Sequence, residues 1–255
     1  MYLGLIPGLF LAGCASGPDP EASAFPPADF RLVVEDLGDL GGAVQVRRRF
    51  TVWADGTCIY GKATSQVVDP VTKTSLPVIG SLSVYRLVPV NTRLLSRKLH
   101  KRRFLELKLD PVEQSTKGDA LRIYCQMFDR RNQLAPSGQI YGPLVGILNV
   151  VNNHLPAGER FALAGLSGDP DPVTLSGVPL PQESVPGALG AFRDLLSERP
   201  KDPGVLLDAF ALACAAGDAR FAAELLDRFR GLAAAAPTSD VPLLSPEILA
   251  RMLPR

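Results

Sequence analysis

The chain is poor in the residues that most often carry readable chemistry. Its 255 residues hold two histidines, one tryptophan and four cysteines. His100 sits in a basic run and His154 shortly before Pro156, so neither shows the helical ligand spacing of a zinc protease. Cys58, Cys125 and Cys214 are too far apart for the close ligand pairs of a zinc or iron–sulfur site. No metal and no cofactor are expected. There is also no Gly-x-Ser-x-Gly elbow, Ser-x-x-Lys pair, phosphate-binding glycine loop or dinucleotide fingerprint, which removes the commonest legible enzyme classes and leaves no catalytic residue to name. After the first dozen residues no segment approaches the roughly 20 apolar residues that span a bilayer. No Lys or Arg precedes Arg31.

What is present is enough apolar material for a globular body. With 46% hydrophobic residues, a chain of this length buries at least one sizeable core. The net charge of +1 conceals an asymmetry. Residues 31–131 hold 18 Lys and Arg against 10 Asp and Glu, whereas residues 159–255 hold 9 against 13. The first part is therefore basic and the last mildly acidic, which implies contact with anionic partners or of the two parts with each other.

Strand-like alternation runs from Phe30 to Val88, with Val44, Val46, Phe50 and Val52 on one side and Arg47 and Arg49 on the other. Asp55-Gly56 between two β-prone runs predicts a two-residue hairpin turn. That turn places Trp53 opposite Cys58 and Val52 opposite Ile59. Residues 81–88 continue as a strand. Residues 92–103 (TRLLSRKLHKRR) switch to helical spacing, lying on the sheet through Leu94, Leu95 and Leu99. Residues 104–109 and 121–128 return to strands, the second with Leu121, Ile123, Cys125 and Met127 on one side. Residues 142–154 form a second helix, opened by Pro143, with His154 at an end where imidazolium suits the helix dipole. A strand over 160–164 closes the domain. The expected fold class is α+β: a mainly antiparallel sheet with two packed helices, then a small helical region.

Residues 165–187 carry five prolines and no periodic pattern, so they read as a linker. Helices follow at 188–198, 204–216, 219–235 and 245–253. The central pair, GVLLDAFALACAAGDARFAAELLDRF, resembles a tetratricopeptide helical hairpin: Gly217-Asp218 matches the tight turn, and Ala222 and Leu226 fall at its small and large packing positions. The family's earlier glycine and tyrosine positions hold Phe210 and Ala213 instead. One repeat is visible, whereas such repeats bury their faces by stacking. A small bundle docked on the first domain fits better.

At the start, an apolar segment (MYLGLIPGLF) runs into Leu11-Ala12-Gly13-Cys14 and then Ala15-Ser16-Gly17. A short apolar stretch ending in small residues reads as a secretory signal, and Leu-Ala-Gly-Cys resembles the lipobox of bacterial lipoproteins. The usual basic opening of such a signal is missing. The resemblance implies cleavage before Cys14, a diacylglyceryl group on its sulfur, and acylation of the new amino terminus. Two or more acyl chains anchor a protein stably where one does not. The implied organisation is a signal over 1–13, a lipidated tether over 14–28, the β-rich domain over 29–164, the linker over 165–187 and the helical region over 188–255. Export places the protein on the outer side of the cytoplasmic membrane or at the outer membrane, which Ala15 permits by analogy. In that oxidising setting Cys58 and Cys125, both in strands, are the candidate disulfide.

The basic run Arg93, Arg97, Lys98, Lys101, Arg102 and Arg103, with His100 among them, suits an anionic partner such as lipid headgroups or an envelope polymer; equally it is a solvated helix face. Nucleic acid is not expected outside the cytoplasm. Asp169-Pro170-Asp171 lacks the further ligands of a calcium loop and reads as a turn. Trp53, Tyr60, Tyr85, Tyr124 and Tyr141 are candidates for an aromatic ligand surface, or for ordinary cross-strand packing. The expectation is a lipid-anchored envelope protein of non-catalytic binding or scaffold type. An envelope hydrolase or transferase with an unrecognised site, and an assembly factor of a secretion or surface-layer complex, stay open.

Overall fold

The computed structural model describes residues 25–39, 44–108, 120–135, 142–155, 159, 161, 184–235 and 244–254. Cys14, Tyr141, residues 169–171 and most of 160–183 lie outside these, as do the cleavage site, most of the expected linker and all but Phe161 of the expected strand over 160–164. The elements are β1 (Arg31–Asp39), β2 (Val44–Trp53), β3 (Thr57–Val68), β4 (Ser75–Arg86), α1 (Pro89–Lys101), β5 (Ala120–Met127), β6 (Arg130–Leu134), α2 (Gly142–Asn152), α3 (Val185–Glu198), α4 (Pro203–Ala215), α5 (Ala219–Ala235) and α6 (Pro246–Arg251). All strand pairings are antiparallel, and the order across the sheet is β4-β3-β2-β1-β5-β6. The α+β expectation holds.

Because side chains alternate along each strand, the sheet presents two faces. Leu32, Val34, Phe50, Val52, Cys58, Tyr60, Ile123, Cys125 and Met127 form one, closed by Leu95 and Leu99 of α1 and by Leu144, Ile147, Leu148 and Val151 of α2. On the other, Trp53, Ile59, Leu76, Val78, Ile79 and Leu82 share a core with α3, α4, α5 and α6. The helical region is thus the third layer of the fold. α4 is apolar nearly all round, with Val205, Leu206 and residues 208–213 buried, as befits a helix lying between a sheet and other helices.

Both ends of this layer are pinned by carboxylates. Asp202 caps α4, its Oδ1 accepting from the Gly204 and Val205 amides at 2.9 and 3.0 Å. Asp69, fully buried, accepts from the Val71 and Thr72 amides in the β3–β4 turn and from Arg251 of α6 in a fork, at 2.8 and 2.7 Å. The Arg251 guanidinium holds its carboxyl far below the usual range.

Several local expectations are corrected. The first hairpin turns through three residues. The Gly56 amide donates to Trp53 O at 3.0 Å, and Gly56 takes φ +82°, as in a type I turn followed by a left-handed residue. A Cβ at Gly56 would lie 2.7 Å from Leu87 O. Val52 therefore faces Cys58, and Thr51 faces Ile59. This one-residue slip sends Trp53 to the face opposite Cys58. Residues 104–106 form a 3₁₀ turn in place of a strand, and β6 is an additional edge strand. In α1 the buried stripe is Thr92, Leu95, Ser96 and Leu99; Leu94 points outward.

Candidate functional site

On the second face of the sheet, three rows of side chains cross the strands. One is Ile59, Thr51, Val33, Tyr124 and Gln133; the next is Arg49, Glu35 and Arg122; the third runs Trp53, Arg31, Gln126, Arg131. The first turns of α4 lie across these rows through Pro203, Gly204, Val205, Leu207 and Asp208, leaving a cleft of 590 Å³. Leu76 and Pro77 of β4 complete its apolar end.

Glu35 stands in the central strand between two cross-strand arginines. Its carboxylate accepts from Arg49 Nε at 2.7 Å and from Arg122. Burial alone would raise its pKa, but the two guanidinium groups outweigh it and hold the carboxyl below its ordinary value. Arg49 also bonds Asp208 of α4. Burial, helped by the nearby Glu35 charge, outweighs the pull of Arg49 and Arg31 on Asp208 and pushes its carboxyl up. Arg31 reaches Asp202 at 3.3 Å, and Trp53 Nε1 donates to the same carboxylate at 2.9 Å. The Trp53 ring is stacked by Arg199 at 4.5 Å and lies 5.9 Å from the Arg31 guanidinium. Arg199 bonds Asp55 at the hairpin tip. A Cβ on Gly204 would meet Arg31 Nη2, so a side chain there would displace this guanidinium.

This arrangement offers guanidinium groups beside an apolar wall. Among the described residues lining the cleft there is no histidine, cysteine, serine or lysine, and Thr51 is the only aliphatic hydroxyl, itself buried. Each carboxylate of the cleft is engaged by arginine. Arg31 Nε is buried without a hydrogen-bond partner among the described residues. No group of three or more His, Cys, Asp or Glu side chains there is placed to hold a metal ion.

The residues singled out from sequence scatter over the structure. Cys58 and Cys125 lie on one row, Cys58–Val52–Leu32–Cys125. Three strand spacings separate them, about 14 Å, whereas a disulfide needs Cα atoms under about 7 Å apart. The expected disulfide is therefore not formed; both are free buried thiols, and burial raises their pKa. Of the aromatic candidates among the described residues, Trp53 and Tyr124 share the cleft, whereas Tyr60 and Tyr85 belong to the other face. Burial lowers the His154 pKa, against the imidazolium expected there. Arg93, Lys98, Lys101, Arg102 and Arg103 are exposed around α1 and its end, and Arg97 is half-buried. Sequence reading missed Arg31, Glu35, Arg49, Arg122 and Asp208. The visible signal was charge on strand positions facing away from the apolar row.

No family model matches the chain, and comparison with curated proteins finds no relative. The α4–α5 hairpin has Gly217 at φ +72° in its turn and buries Ala222 and Leu226. It packs on the sheet and α3, with no second repeat stacked on it among the described residues, so the tetratricopeptide likeness is confined to the turn and these two packing positions.

Proposed function

We propose that this chain is a lipid-anchored cell-envelope protein of non-catalytic type, which binds a partly apolar, anionic ligand in the cleft between its sheet and α4. The cleft carries the reading. Its arginines converge beside Trp53, Val33, Ile59 and Leu76, a combination suited to orienting a carboxylate- or phosphate-bearing group against an apolar body. Its carboxylates are tied to arginine, which suits holding a ligand better than moving protons. The anchor rests on Leu11-Ala12-Gly13-Cys14, and no described helix is long and apolar enough to cross a membrane.

Two measurements test this. The mass of the chain purified from its native membrane should correspond to a start at Cys14 plus acyl groups; an unmodified Cys14 with residues 1–13 retained overturns the anchor. Trp53 is the sole tryptophan, so its fluorescence reports on the cleft. Titration with a short apolar peptide bearing Asp and Glu should shift that signal, and its Asn and Gln counterpart should not. Turnover of peptidoglycan fragments, lipids or esters by the purified chain at enzymatic rates overturns the non-catalytic reading.

A further inference from the structure

We infer that the outward face of α1 is a docking surface for an anionic lipid bilayer, set beside the point where the tether enters the fold; this rests on the lipid-anchored reading of Cys14. The buried stripe of α1 is Thr92, Leu95, Ser96 and Leu99. At about 100° per residue, Val90, Leu94, Arg97 and Lys101 fall within an arc of roughly 60° on the opposite side. Val90 is 55% and Leu94 47% exposed, and Val88, just before the helix, is 55% exposed. Arg93 and Lys98 flank the stripe, both exposed. Among the described residues no carboxylate pairs with Arg93, Lys98 or Lys101, and Glu106, the acidic residue following the helix, is taken by Arg103 and Arg130.

Exposed aliphatic side chains ringed by cations match a bilayer interface, where the apolar groups enter the acyl boundary and the cations meet phosphate. A soluble polyanion would use the cations and leave Val90 and Leu94 in water. The position of the tether favours the bilayer as well. The described chain enters at Phe25, whose ring packs 5.2 Å from His100 at the end of α1 and 5.5 Å from Phe128. Asp29 fixes the same segment to the β5–β6 turn, accepting from the Phe128 and Asp129 amides at 2.9 and 2.7 Å. From Cys14 to Phe25 the backbone reaches at most about 40 Å, so an acylated Cys14 keeps the His100 end of α1 near its membrane. Surface charge acts within about a Debye length, ~8 Å, which the tether allows α1 to reach. Since α1 packs on the face opposite the cleft, docking through it points the cleft away from the bilayer.

The test uses the full chain with Cys14→Ser, which removes the acylation site from the comparison. Partitioning onto vesicles of equimolar phosphatidylglycerol and phosphatidylcholine should exceed that onto pure phosphatidylcholine and should weaken with salt. Adding R93Q, K98Q and K101Q should lower the anionic partitioning on the order of a hundredfold. Independently, V90S with L94S should lower it about tenfold and leave binding to soluble polyphosphate unchanged. These side chains are exposed, so circular dichroism should report an unaltered fold and melting temperature. Equal partitioning of parent and charge variant overturns the proposal. An unchanged V90S/L94S variant whose vesicle binding polyphosphate abolishes also overturns it, in favour of a polymer partner. An unacylated Cys14 in the native protein removes the anchor without changing either vesicle result, so the two failures are told apart.

Discussion

The two faces of the sheet are built from alternate residues of the same strands, yet they are held in different ways. On the α1 and α2 side, the row Cys58, Val52, Leu32, Cys125 is apolar across four strands, and apolar helix stripes close over it. On the α3 to α6 side, the apolar contacts concentrate on β3 and β4. Over β1, β2 and β5 their place is taken by Arg49, Glu35 and Arg122, with Asp208 from α4. A non-directional apolar face needs only the right periodicity. An ionic face needs partners at fixed positions, because each unpaired buried charge costs several kcal/mol. The first face is therefore tolerant and closed, while the second is exacting and leaves a cleft.

The largest expected effect is on the closed face. Phe50→Ala, at a fully buried ring, should cost about 4 kcal/mol in urea unfolding through loss of burial and a cavity. Arg49→Leu on the other face should cost about 3 kcal/mol, since Glu35 and Asp208 lose their shared cation. Replacing Arg49, Glu35 and Asp208 together by Met, Leu and Leu should be far milder, because the one charge left without its partner, Arg122, is about a third exposed. A triple variant as unstable as Arg49→Leu would show that the two faces are held in the same way.

The pH dependence sharpens the contrast. Glu35 has a folded pKa depressed below 4.5, so its stabilising contribution is present above that value and is lost as pH falls through the lower folded one. Asp208 has a folded pKa raised above 3.8; its contribution is present below that value and is lost as pH rises through the higher folded one. Urea midpoints measured against pH should show Glu35→Gln flattening the acid side of the profile and Asp208→Asn changing it in the opposite sense. Smaller again, Trp53→Phe should cost about 1 kcal/mol by removing the bond to Asp202. Smallest, Lys98→Gln on exposed α1 should stay within about 0.5 kcal/mol in thermal unfolding.

Legibility followed the same division. Alternation puts Leu121, Ile123, Cys125 and Met127 on one face, and all four are buried there. The hairpin was legible at Asp55-Gly56, but its length was not: two-residue and three-residue turns share that dipeptide, and the choice decides where Trp53 points. The basic α1 was plain from sequence, whereas its outward pair Val90 and Leu94 was not, since an apolar residue beside an apolar stripe reads as core until packing is known. The cleft was illegible because Arg49 and Asp208 are separated by 159 positions, and no local pattern joins them.

By itself the sequence determined most of the element types, the apolar row of one face, the basic helix and the apolar run into Leu11-Ala12-Gly13-Cys14, because periodicity and short motifs are local properties of the chain. Tertiary structure alone decided that the helical region becomes the third layer and that Cys58 and Cys125 stand three strands apart. It also decided that arginines of the sheet meet aspartates of α4. These depend on strand order and on docking across the sheet, which bring together residues that no spacing along the chain relates.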